Sequence, residues 1–232
     1  MGEYLSVDLG GELVPVTVRR NSQAKRLILR IDGATGDIKL TLPRHVSNRA
    51  ATKFLIKQSE WIARERSALD PVQRVTCGST IPYLGTEHRI IFTDTAPRTV
   101  MKIGDEIHVG GPADMAAGRL ENWFRRQAKT FLIERSSLHA ETLGVQYKRI
   151  SIGDMKSRWG SCSSNGTLRY SWRLLMAPFA VMDYVAAHEV AHLKEMNHSD
   201  RFWAEVATCV PDHKPQRRWL KTEGNTLFKV QF

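Results

Sequence analysis

PFAVMDYVAAHEVAHLKEMNH, residues 178–198, is the stretch on which the reading of the fold turns. Pro178 suits the start of a helix, and the residues after it are apolar on nearly every side, as in a helix at the centre of a core. Near the end of this segment stand His188, Glu189 and His192, spaced H-E-V-A-H. Residues four apart on a helix lie one above the other on the same face. Two imidazoles so placed can share one Zn²⁺, and the glutamate beside the first can serve as general base toward a metal-activated water. Charge and imidazole are out of place on an apolar helix unless something pairs them. A catalytic zinc needs a third protein ligand and one open position. His198 is the candidate, with Glu195, Asp200 and Glu205 as rivals.

The spacing H-E-x-x-H-x-x-E-x-x-H resembles the metzincin pattern, but Glu195 stands where that pattern turns on glycine. The bend is therefore expected at Asn197, which tolerates a left-handed backbone. An amphipathic helix follows over 199–210 and closes at Pro211. Just upstream, residues 157–173 read as a hairpin about Asn165-Gly166, the strongest short turn signal. VQYKRISIGDM before it reads as a strand. Residues 112–144 read as a long helix with Leu120, Trp123, Phe124, Phe131 and Leu132 at core spacing, stopped by Gly144. The first half is β-rich: 12–20, 26–32 and 37–43 alternate apolar and polar residues. One helix is expected over 47–69, capped by Ser47. Gly110-Gly111 before Pro112 marks the expected boundary between a β-rich N-terminal domain, 1–111, and a catalytic domain, 112–232.

Composition narrows the class. The 232 residues are 42% hydrophobic and 25% charged, which suits a folded protein and excludes a disordered or collagen-like chain. No apolar run is long enough to span a bilayer, so no membrane partner is expected. Cys77, Cys162 and Cys209 form no C-x-x-C pair, which fits a reducing, cytoplasmic setting. The net charge of +10 is spread over both halves of the chain rather than gathered in one tail or helix, and favours anionic partners in general.

Arg158-Trp159-Gly160-Ser161-Cys162, the HEVAH helix, and Asn197-His198 followed by Phe202-Trp203 together resemble the YgjP-like metal-dependent hydrolases, relatives of the SprT-like and WSS1-like zinc peptidases. The likeness extends upstream to RLILRIDGATGDIKLTLP, Trp61-Ile62 and Tyr83-Leu84-Gly85. The resemblance implies an α+β fold, a zincin-like metallopeptidase core preceded by a β-rich region. It also implies His188, His192 and His198 as ligands of one Zn²⁺ and Glu189 as catalytic base, though imidazole sites accept other divalent metals too.

On this reading the chain is a zinc-dependent hydrolase, first of all a metallopeptidase. A polypeptide would lie extended against the hairpin edge as an added strand. Arg158, Trp159, Gly160, Tyr170 and Arg173 are the candidate substrate-binding residues; Tyr170, Tyr184, Arg158 and His213 are candidates to stabilise the oxyanion. No acidic residue occurs between Asp154 and Asp183, whereas Lys156, Arg158, Arg169 and Arg173 do. That favours, as the alternative, a nucleotide or phosphoester hydrolase. A third reading, a nucleic-acid-binding module with structural zinc, requires a fourth ligand such as Cys162 or a carboxylate.

Overall fold

The computed structural model describes residues 3–33, 35–68, 72–155 and 158–232. The chain divides into two compact units, Met1–Val72 and Gln73–Phe232.

The smaller unit pairs β1 (Glu3–Leu9), β2 (Glu12–Arg20), β3 (Ile28–Ile31) and β4 (Ile38–Leu42) in the order β1-β2-β4-β3. Gly10 and Gly11, both at positive φ, make the two-residue turn that reverses β1 into β2. Every second residue points inward: Val14, Val16 and Val18 from β2, and Ile38, Leu40 and Leu42 from β4. The expected helix appears as two, α1 (Asn48–Lys57) and α2 (Ser59–Ser67). Ser47 caps the first, accepting from the Ala50 N–H. At the break the Gln58 N–H is shared between the carbonyls of Phe54 and Leu55. The Ser59 hydroxyl takes the Ile56 carbonyl at 2.9 Å, a side-chain bond that competes with the helical ladder. The expected end of this helix at Leu69 lies outside the described residues.

The larger unit opens with β5 (Gln73–Arg74), β6 (Thr80–Tyr83), β7 (Thr86–Thr93), β8 (Val100–Ile103) and β9 (Glu106–Gly110). The last four form a sheet in the order β6-β7-β9-β8. α3 (Ala116–Leu143), about 42 Å long at 1.5 Å per residue, ends at Gly144 with φ +66°, the left-handed cap expected of glycine there. Ile81, Tyr83, Ile90, Ile107 and Val109 of the sheet share one core with Leu120, Phe124, Ala128 and Leu132 of α3. Gly110-Gly111 is therefore a turn within this unit, and the division expected at 111/112 lies instead at 72/73. The change from strand to helical composition at Pro112 marks two layers of one core.

Beyond α3 come β10 (Arg149–Gly153), β11 (Gly160–Cys162), β12 (Thr167–Ser171), α4 (Phe179–Ala191), α5 (Asp200–Cys209), α6 (Lys214–Thr222) and β13 (Val230–Gln231), which pairs in parallel with β5. β10 and β12 are parallel and β11 antiparallel, in the order β10-β12-β11. α4 is buried over most of its surface, as its composition requires. A polar node pins it to α3: Asp183 Oδ1 accepts from Arg135 Nε at 2.6 Å and pairs with His139 Nε2 at 2.7 Å. Burial raises the Asp183 carboxyl, but these two partners outweigh it and hold the group below the usual carboxylate range. Among the described residues no helix is long and apolar enough to cross a membrane.

Candidate metal centre

His188 and His192 occupy successive turns at the end of α4, His192 as its C-cap. The chain then folds back without glycine. Leu193 N–H bonds the Val190 carbonyl, Lys194 and Glu195 N–H both bond Ala191, and Ser199 N–H bonds Asn197. Leu84 is the one non-glycine residue at positive φ among those described, so the left-handed bend expected at Asn197 is not there. Backbone bonds from the frayed last turn suffice to return His198 to the helix.

The ligand atoms of His188, His192 and His198 all lie within 4.8 Å of one another. His188 Nε2 and His198 Nε2 are 3.1 Å apart. Two nitrogens bound to one tetrahedral zinc at about 2.0–2.1 Å stand about 3.3 Å apart, so the donors fit such an ion. The remaining bonds orient them. Nδ1 of His192 donates to the Glu195 carbonyl at 3.0 Å, which leaves Nε2 as its free lone pair. Nδ1 of His188 is buried without a partner among the described residues, and this ring's close polar contact is made through Nε2. Burial and the neighbouring His192 and His198 push the His188 pKa down to about 3; burial also lowers that of His192. Both rings are thus neutral, the form a metal requires.

α5 supplies the floor. Ser199 caps it by accepting from the Phe202 N–H, and this sets the fully buried Phe202 ring 4.4 Å from that of His192, 4.7 Å from His198 and 4.9 Å from His188. The rival ligands are otherwise engaged or apart: Glu205 pairs with Lys194 at 2.7 Å, and Glu195 contributes its carbonyl. Among the described residues no fourth side chain joins the three imidazoles, and the exposed His198 leaves the cluster open on one side.

Glu189, beside His188, reaches β11. It is 5% exposed, and its carboxylate accepts from the Cys162 N–H. Burial raises its pKa to about 8 against the opposing pull of the Arg158 charge and the Cys162 N–H. Gly160 abuts it so closely that a Cβ there would lie 2.6 Å from Glu189 Cγ. Burial, with the Glu189 charge added, pushes the Cys162 thiol up to about 11, a protonated and unreactive state.

The other sequence candidates separate into two groups. Arg158 is exposed and its charge reaches Glu189, so Arg158 and Gly160 stand at the site. Trp159 instead stacks on Phe228 at 4.6 Å, with Gly224 packed against its indole. Tyr170 and Arg173 do not face a substrate as expected. Tyr170 is wholly buried with its hydroxyl 2.9 Å from Ser136 Oγ. Arg173 is spent inside, donating to the carbonyls of Leu227 and Val230 and to Asp154. Of the four cations that suggested phosphate chemistry, Arg173 is thus consumed, Arg169 is exposed on β12, and Lys156, with Ser157, lies outside the described residues. Tyr184 and His213 do border the cluster. Tyr184 is edge-on to His188 at 5.9 Å, and His213 is sandwiched between Tyr184 and Trp203. Arg217, absent from the sequence candidates, covers Trp203 at 4.4 Å; nothing in the spacing of α6 could have signalled it.

The model of the YgjP-like metallopeptidase domain matches residues 25–223 of this chain. No curated protein is significantly similar in sequence. Among solved structures, the metallopeptidase zymogen abylysin of Pyrococcus abyssi is 27% identical, over 40% of this chain and 95% of its own, with a TM-score of 0.36.

Proposed function

The chain belongs to the YgjP-like metallopeptidase family, and on that premise we propose that it is a zinc-dependent peptidase in which His188, His192 and His198 hold the ion and Glu189 is the general base. The observation that carries the reading is three imidazoles within ligand distance of one another, with a buried carboxylate next to the first. A zinc ion held there would supply Lewis acidity, activating a water and polarising the carbonyl under attack.

The chain's own residues do the rest. Ser171 N–H bonds the Trp159 carbonyl and Ser163 N–H the Thr167 carbonyl, so the odd-numbered residues of β11 face β12. Gly160 and Cys162 therefore turn their backbone groups to the free edge, where Glu189 already takes the Cys162 N–H. A polypeptide added along this edge would pair with Gly160 and be held extended beside the carboxylate. A carboxylate oxygen of Glu189 takes a proton from the attacking water and passes it to the leaving nitrogen. Burial, which favours the protonated form, suits Glu189 to both halves of that transfer.

The test is a matched pair of variants assayed on unfolded casein and analysed for metal. Glu189→Gln is expected to keep about one zinc per chain while turnover falls by about 10²–10⁴-fold, the usual weight of a general base. His192→Ala is expected to lose both. Casein cleavage by Glu189→Gln at the wild-type rate would overturn the base assignment, and nucleoside triphosphate cleavage in place of proteolysis would overturn the peptidase reading.

A further inference from the structure

On the opposite edge of the same sheet, β10 and one face of α3 enclose an open groove of about 490 Å³. Asn122, Arg125, Arg126 and Lys129 line it from the helix, and residues 149–152 from the strand. The helical positions follow the i, i+3, i+4, i+7 spacing of one face, which extends about 10 Å along the axis. Arg125 is engaged, bonded to Glu121 at 2.6 Å and lying over the buried Trp172 ring. Arg126, Lys129 and Arg149 are exposed and have no carboxylate partner among the described residues. β10, β11 and β12 contain no acidic residue at all.

Ser151 and Asn122 add neutral polar side chains to this lining. The chemistry of the lining then narrows the ligand. Arginine, lysine, serine and asparagine are the side chains that contact phosphate and sugar. No aromatic ring lines the groove, so there is nothing on which a base could stack. Three phosphate contacts are expected, one for each cation without a carboxylate partner among the described residues.

We infer that this groove binds the phosphodiester backbone of a nucleic acid, without reading its sequence. The inference does not depend on the metal centre, and the two can fail separately. Fluorescence anisotropy of a labelled 20-base-pair DNA of arbitrary sequence, titrated with the full-length chain between 50 and 200 mM KCl, tests it. Three phosphate contacts predict a slope of log K against log salt of about −2.7. The triple variant R126A/K129A/R149A is expected to bind at least about tenfold more weakly at 50 mM salt and to lose most of that slope, about one unit per contact. The charge-matched control K53A/K57A/R64A, on exposed positions of α1 and α2, is expected to stay within about twofold of wild type. The single charge reversal R149E repeats the test at one exposed position should the triple variant fold poorly. Equal losses in variant and control would show bulk charge alone and overturn the proposal. So would wild-type affinity in a well-folded triple variant, no binding by wild type, or tighter binding of labelled polyglutamate than of DNA.

Discussion

Gly160→Ala is the perturbation whose effect follows most directly from the geometry of the site. The added methyl would stand 2.6 Å from Cγ and 2.7 Å from Cδ of Glu189 and touch its Oε1 as well. Ordinary contact begins at about 3.4 Å, so the carboxylate must retreat by about 0.8 Å or β11 must lift by as much. Glu189 is closed in by β11 and by the body of α4, and neither is free to move without loss of packing. Overpacking of this kind costs about 1–3 kcal/mol, or several degrees in Tm for a chain of this size. The catalytic cost is separate. A misplacement of about 1 Å at a reacting group lowers the rate by about 10²-fold. None of the three imidazoles is among the atoms nearest the added methyl. The assay is casein turnover beside zinc content and a thermal melt. The expected result is activity down about 10²-fold, zinc still near one per chain, and a Tm reduced by only a few degrees. Full activity in Gly160→Ala would refute the close packing of Glu189 against β11; loss of zinc together with activity would refute the separation of base from ligands.

Two further outcomes test the support around the site. Asp183→Asn breaks the node that ties α4 to α3, and urea melts at pH 7 are expected to show a loss of about 1–3 kcal/mol. The folded-state pKa of Asp183 is lowered, so its contribution is present above the unfolded value near 4 and fades as pH falls through the folded one; the gap between variant and wild type is therefore expected to shrink in melts below about pH 4. Arg173→Met removes the donor to the Leu227 and Val230 carbonyls, and a loss of about 2–3 kcal/mol is expected with KM for casein unchanged in the folded fraction; a raised KM at unchanged stability would restore Arg173 to the substrate.

How far the sequence foretold this arrangement varied with the range of the interaction concerned. Signals confined to a few residues read well: the HEVAH spacing, Asn165-Gly166, Gly144, and the alternation of β2 and β4 all reappear as expected. What was misplaced depended on distant partners. β5 and β13 are two residues each and exist only because each finds the other across most of the larger unit. The boundary expected at Pro112 failed because a sheet and a helix of unlike composition bury one common core. Tyr170 is a different case. Leu168 and Tyr170 share one face of β12 and Arg169 takes the other, so period-two alternation already directed the tyrosine inward. Arg173 carries no such signal, since the carbonyls it satisfies lie more than fifty residues away.

The ligand set itself can be read by zinc K-edge X-ray absorption on the purified, zinc-loaded chain. The expected spectrum has three imidazole nitrogens and one further light atom at about 2.0–2.1 Å, and the imidazole count drops in His198→Ala. A sulfur neighbour at about 2.3 Å, or a spectrum unchanged in His198→Ala, would contradict the assignment of these three histidines as an open metal site.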